Sequence, residues 1–107
     1  MNRGSVVIAG ERSAFAGKPR PWLVLQNGLF LDQPSTVTVC MISATAAPAV
    51  FRIPAAPDAE NGLTEMSRIC IDKIVTLRLS SIAEIAGQVN AETLNRVDDA
   101  LRLWLDL

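Results

Sequence analysis

The chain has 107 residues, of which 50% are apolar and 20% are charged, and its formal net charge is −1 at pH 7. This length allows one domain, residues 1–107, and is too short for two, while the apolar share argues against disorder. A near-neutral chain does not bind nucleic acid as a simple polycation, and the absence of histidine excludes Ser-His-Asp and Cys-His nucleophiles and histidine-bearing metal sites.

The first part of the chain alternates short apolar runs with loops. Residues 5–9 (SVVIA) and 22–26 (WLVLQ) predict two strands, and the loop between them, residues 10–21, holds two glycines and two prolines. Residues 29–30 predict one helical turn. The β-branched run at residues 36–43 (TVTVCMIS) predicts a central strand that is buried on both faces.

The second part continues the same pattern with one longer strand. Residues 44–50 predict a loop of small residues, and residues 50–53 predict a short strand. A long turn is expected over residues 54–62 (PAAPDAENG). The alternating stretch 67–79 predicts the longest strand, with room for a bend, and residues 85–89 predict the last one.

The end of the chain has a different period. Asn90 is a suitable N-cap, and Glu92 in the first turn complements the helix dipole. Apolar residues then recur at the three- and four-residue spacing of an amphipathic helix: Leu94, Val97, Leu101, Trp104 and Leu105. Short strands followed by one terminal helix predict the α+β class, mainly β, as a small β-barrel capped by a C-terminal helix.

Cysteine usage and hydropathy indicate a cytoplasmic protein. Cys40 and Cys70 both lie inside apolar runs, which favours buried, reduced thiols over a disulfide. Two cysteines without histidine make a weak zinc site, so that neither a metal nor a cofactor is expected. No apolar run reaches the ~20 residues that a membrane span needs.

Four segments, in this order along the chain, resemble the MazF/PemK (Kid) family of toxins. They are GKPRPWLVLQ at 17–26, TVTVCMISAT at 36–45, ENGLTEMSRICIDKIVTL at 60–77 and the terminal VNAETLNRVDDALRLWLDL. The resemblance implies an SH3-like barrel that forms a homodimer and cuts single-stranded RNA at short sequences. It also implies a partner, a partly disordered acidic antitoxin that keeps the toxin inactive.

The resemblance further implies cleavage by metal-independent transesterification, in which the RNA 2′-hydroxyl attacks the adjacent phosphate. Arg20 is the expected phosphate ligand, because a guanidinium matches phosphate oxygens and prolines on either side limit its backbone freedom. Ser43 ends its strand where the family carries a catalytic threonine. Asp72 is the expected general base, and Glu11 is a weaker candidate. Strand-end capping by Ser43 and a structural hydrogen bond by Asp72 remain open alternatives.

Further residues are candidates for holding the RNA backbone or its bases. Aromatic side chains beside cations suit stacking of single-stranded bases. The RNA-binding candidates are Arg12, Ser13, Phe15, Lys18, Thr45, Arg68 and Lys73.

Two other functions remain open. One is a gyrase-poisoning toxin of the CcdB type on the same barrel, and the other is a catalytically weakened relative that binds RNA or antitoxin. The CcdB type acts through a tryptophan near its C-terminus that is followed by a small residue. Trp104 lies instead in LWLDL, inside the predicted helix, which argues against that class.

Overall fold

The computed structural model describes residues 1–10, 19–32 and 35–107. Strands precede a single helix along the described chain: β1 (Ser5–Ala9), β2 (Arg20–Val24), β3 (Thr36–Ser43), β4 (Arg52–Ala55), β5 (Ser67–Arg78), β6 (Ile82–Gln88) and α1 (Ala91–Leu105). Single 3-10 turns occupy Gly28–Phe30 and Leu79–Ser81. The predicted order of elements and the predicted mainly-β α+β class are therefore confirmed.

Three strands, β2, β4 and β6, are shifted along the chain from their expected positions. β2 begins at Arg20 rather than at residue 22, so the arginine belongs to the strand and not to the loop before it. β4 lies two residues later than predicted and contains Pro54, which an edge strand tolerates because one side of it needs no N–H donor. β6 begins three residues early, at Ile82, in a stretch whose alanines and Gly87 weaken the apolar alternation.

The strands form one antiparallel sheet in the order β4-β5-β3-β2-β1-β6. The loop between β4 and β5 joins the two ends of this order, because the Gln88 N–H on β6 donates to the Glu60 carbonyl at 2.9 Å. The buried amide of Asn61 organises that loop: its Oδ1 accepts from the Leu63 N–H at 3.0 Å and its Nδ2 donates to the Ala56 carbonyl at 2.9 Å. The curled sheet and its helix are consistent with the SH3-like barrel that was expected.

Apolar side chains pack on both faces of the sheet. One cluster lies beneath α1 and includes Leu23, Ile69 and Val97, while the cluster on the other face includes Trp22 and Leu77. β3 contributes to both clusters, as predicted, with alternate residues on opposite faces. Burying both faces of β3 fixes its register, since a slip of one residue would exchange the two sets of side chains.

The helix is capped as the sequence predicts, but its last turn is more exposed. The Asn90 Oδ1 accepts from the Thr93 N–H at 2.8 Å, and Val97 is fully buried. Trp104 and Leu105 are 46% and 52% exposed, so the far end of the predicted apolar stripe lies outside the core of the chain. This leaves an apolar surface at the end of α1.

Both cysteine thiols are buried and free, as predicted. Burial raises the pKa of Cys40 and of Cys70 above the usual range, which keeps both thiols protonated at neutral pH. Within the described residues, no helix combines the length and the apolar character that crossing a membrane requires.

Candidate active site

Three polar residues lie in one row across neighbouring strands. On β3 and β5, Ser43 is paired directly with Arg68. On β2 and β3, Trp22 is paired with Met41, and continuing this register by two residues sets Arg20 opposite Ser43. Directly paired residues point to the same face of a sheet. The sheet therefore presents a hydroxyl with an arginine on either side.

A cleft of about 330 Å³ opens beside this row. Arg20 and Ser43 line it from the ends of β2 and β3, and Thr45 lines it from the loop after β3. The segment before β5 also lines the cleft with Thr64 and Glu65, and Ser67 lines it from the start of β5. A cation, four hydroxyls and a carboxylate thus share one concave site, which is where a small polar group of a ligand would be held.

The two hydroxyls at the end of β3 contact each other. Ser43 Oγ and Thr45 Oγ1 are 3.2 Å apart, and the Thr45 N–H donates to Ser43 Oγ at 3.2 Å. Hydroxyl protons rotate freely, so either side chain is able to turn its O–H towards a bound oxygen. The expected capping of the strand end by Ser43 is therefore present, and it leaves the hydroxyl in the cleft.

Two arginines fix the loop that carries Thr45. Arg68 Nη1 donates to the Ala46 carbonyl at 2.9 Å, and Arg52 Nη1 donates to the Ala47 carbonyl at 3.1 Å. The backbone N–H of Arg52 donates to the Ala49 carbonyl at 3.0 Å. These bonds hold consecutive parts of the loop against β4 and β5, so the position of Thr45 depends on both strands.

Asp72 does not reach this cleft within the chain. It lies four residues after Arg68 on β5, or about 13 Å of strand. The pairing shifts there, from Met41 with Cys70 to Cys40 with Ile74, so that extra residues of β5 bulge out of the ladder. Within one chain, Asp72 thus lies apart from the cleft that Arg20 and Ser43 line, and its role as general base stays a prediction.

The Asp72 carboxylate is instead held by Arg52. Arg52 Nε and Nη2 donate to its two oxygens at 3.2 and 2.9 Å, and Lys73 Nζ lies 3.7 Å from Oδ2. The Asp72 side chain is only 10% exposed. Hydrogen bonds from Arg52 hold the pKa of Asp72 below its usual range, which makes this carboxylate a weaker base.

The remaining candidates fall into two groups. Thr45 lies in the cleft and Arg68 beside it, while Lys73 stands next to Asp72, outside the cleft. Glu11 and four of the RNA-binding candidates lie outside the described residues: Arg12, Ser13, Phe15 and Lys18.

Sequence reasoning missed two residues of this region, Arg52 and Glu65. Arg52 follows a loop of small residues and begins a short strand, which gave no sign of its partner on β5. Glu65 lies two residues before β5 in GLTEMS, inside one of the segments that resemble the family, and the resemblance implied no role for it. The sequence alone held no signal for Glu65, because its place in the cleft depends on the pairing of β5 with β3.

Comparison with known proteins gives a consistent picture. Residues 2–105 match the family described as "PemK-like, MazF-like toxin of type II toxin-antitoxin system". The chain is 37% identical over 109 residues to a Mycolicibacterium smegmatis protein named "Probable endoribonuclease MazF", and the match covers 100% of this chain and 98% of that protein.

Solved structures share the fold over nearly the whole chain. The likeness to the Mycobacterium tuberculosis toxin MazF-mt6 has a TM-score of 0.83 at 25% identity and covers 96% of this chain and 97% of the other. The likeness to an endoribonuclease in complex with its cognate antitoxin, from a mycobacterial species, also has a TM-score of 0.83, at 22% identity, and covers 100% and 96%. At 22% identity, the second likeness shows a shared fold and nothing more.

Proposed function

The chain belongs to the family of PemK-like, MazF-like toxins of type II toxin–antitoxin systems, and on that basis we propose that it is an endoribonuclease that cuts single-stranded RNA at short sequences. A cognate antitoxin neutralises it. The observation that carries the proposal for the site is the shared cleft of Arg20 and Ser43. A fixed cation and a hydroxyl in one concave site suit the scissile phosphate of an RNA chain.

The proposed reaction is a metal-independent transesterification. The 2′-oxygen attacks the adjacent phosphorus, negative charge builds up on the phosphate oxygens, and the 5′-oxygen leaves. Arg20 offers N–H donors in a fork that fits two of those oxygens. Ser43 and Thr45 donate hydroxyl protons to the same group, and Arg68, opposite Ser43, contributes positive potential.

The backbone around Arg20 supports this role. Pro19 and Pro21 fix φ on both sides of it, and Arg20 pairs with Ala9 at the start of β2. An arginine that is already placed by a strand and two prolines loses little freedom when it binds phosphate. Preorganised charge of this kind stabilises a transition state without reorganisation during the reaction.

End-group analysis of the RNA fragments tests the reaction class. Purified protein in the presence of a chelator is expected to cut single-stranded RNA and to leave 2′,3′-cyclic phosphate and 5′-hydroxyl ends, because the attacking oxygen belongs to the RNA itself. Labelling with polynucleotide kinase, with and without prior phosphatase treatment, distinguishes a 5′-hydroxyl from a 5′-phosphate. Fragments that carry 5′-phosphates would contradict the transesterification.

Replacement of Ser43 tests the hydroxyl. Ser43→Ala is expected to lower kcat by about ten- to a hundredfold, the range of one hydrogen bond to a charged group. Ser43→Thr keeps the hydroxyl and is expected to retain most of the activity. Single-turnover cleavage of one labelled RNA measures both, with Ser81→Ala as the control, because Ser81 bonds only the Arg78 carbonyl among the described residues. Equal rates for wild type and Ser43→Ala would remove Ser43 from the reaction.

We further propose a homodimer and a cytoplasmic location. Leu103 and Trp104 in the last turn of α1, Leu107 just after it, and Val50 are exposed, and exposed apolar side chains of this kind suit contact with a second copy. The gyrase-poisoning alternative is not favoured. Trp104 lies inside α1, and its ring is 4.9 Å from that of Phe51, so it is not a free terminal side chain.

A further inference from the structure

Cleavage by the RNA 2′-hydroxyl requires a group that accepts its proton. The chain has no histidine, and therefore a carboxylate is the natural acceptor at neutral pH. The structure allows two carboxylates near the proposed site to be compared, Glu65 and Asp72. The inference that follows rests on the proposed function and concerns the base of that same reaction.

Glu65 lies in the cleft with Arg20 and Ser43. It is the only carboxylate among the described residues that line this cleft. Its side chain is exposed, and in the described part of the chain no hydrogen bond or ion pair engages its carboxylate oxygens. Both oxygens are therefore available to a ligand that enters the cleft.

The backbone of Glu65 is anchored although the side chain is free. The buried Ser67 donates its hydroxyl proton to the Glu65 carbonyl at 2.9 Å. Ser67 is in turn paired with Ala55 on β4, at the beginning of the strand that places Arg68 opposite Ser43. The Glu65 side chain thus extends from an anchored backbone, in the same cleft as Arg20 and Ser43.

Asp72 differs in each of these respects. Arg52 engages both of its oxygens, its side chain is almost fully buried, and it lies within the bulge of β5, between Cys70 and Ile74. A base must reach the proton that it takes, and it must have an oxygen to receive it. Arg52 bonds both to Asp72 and to the Ala47 carbonyl. Asp72 and Arg52 together therefore hold the loop that carries Thr45.

We propose that Glu65 is the general base of RNA cleavage and that Asp72 acts only as a positioning residue through Arg52. The Glu65 carboxylate takes the proton of the 2′-hydroxyl while the 2′-oxygen forms its bond to phosphorus. The bond between phosphorus and the 5′-oxygen breaks, and its electron pair stays on that oxygen, which takes a proton from water. Glu65 then returns its proton to the resulting hydroxide, so that no net proton is gained or lost.

Two isosteric substitutions, Glu65→Gln and Asp72→Asn, test the assignment with one RNA substrate. Glu65→Gln is expected to lower kcat/KM by about 10²–10⁴-fold, the usual contribution of a general base, and to remove the fall in rate at acid pH. Asp72→Asn keeps an oxygen that accepts from Arg52, and it is expected to cost less than about tenfold and to keep the acid limb. Glu92→Gln, on the exposed first turn of α1, is the control for loss of a carboxylate.

The measurement is a pH–rate profile between about pH 4 and pH 8 for each variant, with thermal unfolding to verify the fold. Glu65→Asp, which keeps a shortened carboxylate, should retain partial activity together with the acid limb. Glu65→Gln with wild-type rates, or with an unchanged acid limb, overturns the proposal. So does an Asp72→Asn variant that folds and alone loses the acid limb.

Different results would overturn the proposed function and the role of Glu65. A wild-type protein that cuts no RNA overturns the proposed function and this inference with it. A wild-type protein that cuts RNA, with Glu65→Gln cutting equally well, overturns the inference alone.

Discussion

Arg20→Ala is expected to lower kcat for RNA cleavage by about 10²–10³-fold, the cost of removing one preorganised donor from a site of developing negative charge. The loss should appear mainly in kcat, because the charge on the phosphate oxygens is greater in the transition state than in the bound RNA. Alanine keeps the extended backbone between Pro19 and Pro21, and thermal unfolding should therefore change little.

Two further variants show whether the guanidinium itself matters. Arg20→Lys keeps the charge but not the two-pronged fork, and it is expected to fall between wild type and Arg20→Ala. Arg96→Ala removes an exposed arginine from α1 and should leave cleavage unchanged, which controls for the loss of one positive charge. Single-turnover kinetics on one labelled RNA measures all three. An Arg20→Ala enzyme within about threefold of wild type would exclude Arg20 as the phosphate ligand.

Gly87→Ala is expected to be strongly destabilising although Gly87 does not line the cleft. A Cβ at this position would overlap the Glu60 carbonyl oxygen and lie 2.5 Å from the carbonyl carbon of Asn61. Both atoms belong to the backbone of the loop that joins β4 to β5, so neither is able to turn aside. Overpacking of this kind costs about 3 kcal/mol, which lowers the Tm of a domain of this size by about 15 °C.

Gly28→Ala is the matched control, because a Cβ there meets nothing within 4 Å. The same added methyl group should change the free energy of unfolding by less than about 0.5 kcal/mol at Gly28. Denaturant unfolding followed by tryptophan fluorescence compares the two variants. Similar denaturation midpoints for Gly87→Ala and Gly28→Ala would contradict the close packing of this loop against Gly87 on β6.

The loop that packs closely against Gly87 also contributes residues that line the cleft. Residues 62–65 follow the buried Asn61 directly, and they lead into β5. Displacement of the loop by Gly87→Ala would move Glu65 relative to Arg20 and Ser43. The close approach of a glycine on β6 thus connects the stability of the barrel with the geometry of the site.

Local pattern in the sequence was enough for the order of elements and the family. The period of two in residues 36–43 and the three- and four-residue period after Asn90 arise from backbone geometry within each element, and they identified β3 and α1. The prolines around Arg20 likewise fix local backbone angles. Arg20 and Ser43 were therefore predictable as candidates, because the resemblance rests on segments that hold these residues themselves.

Only the tertiary structure decided which carboxylate lies in the same cleft as Arg20 and Ser43. Asp72 was expected as the general base from the resemblance, but within one chain the bulge between Cys70 and Ile74 and the bonds of Arg52 keep it from the cleft, and both depend on which strands are neighbours. Glu65 enters the cleft because β5 lies beside β3, a pairing of segments more than twenty residues apart. Register and partners across strands are set by the packing of the whole sheet, and periodicity along the chain carries no record of them.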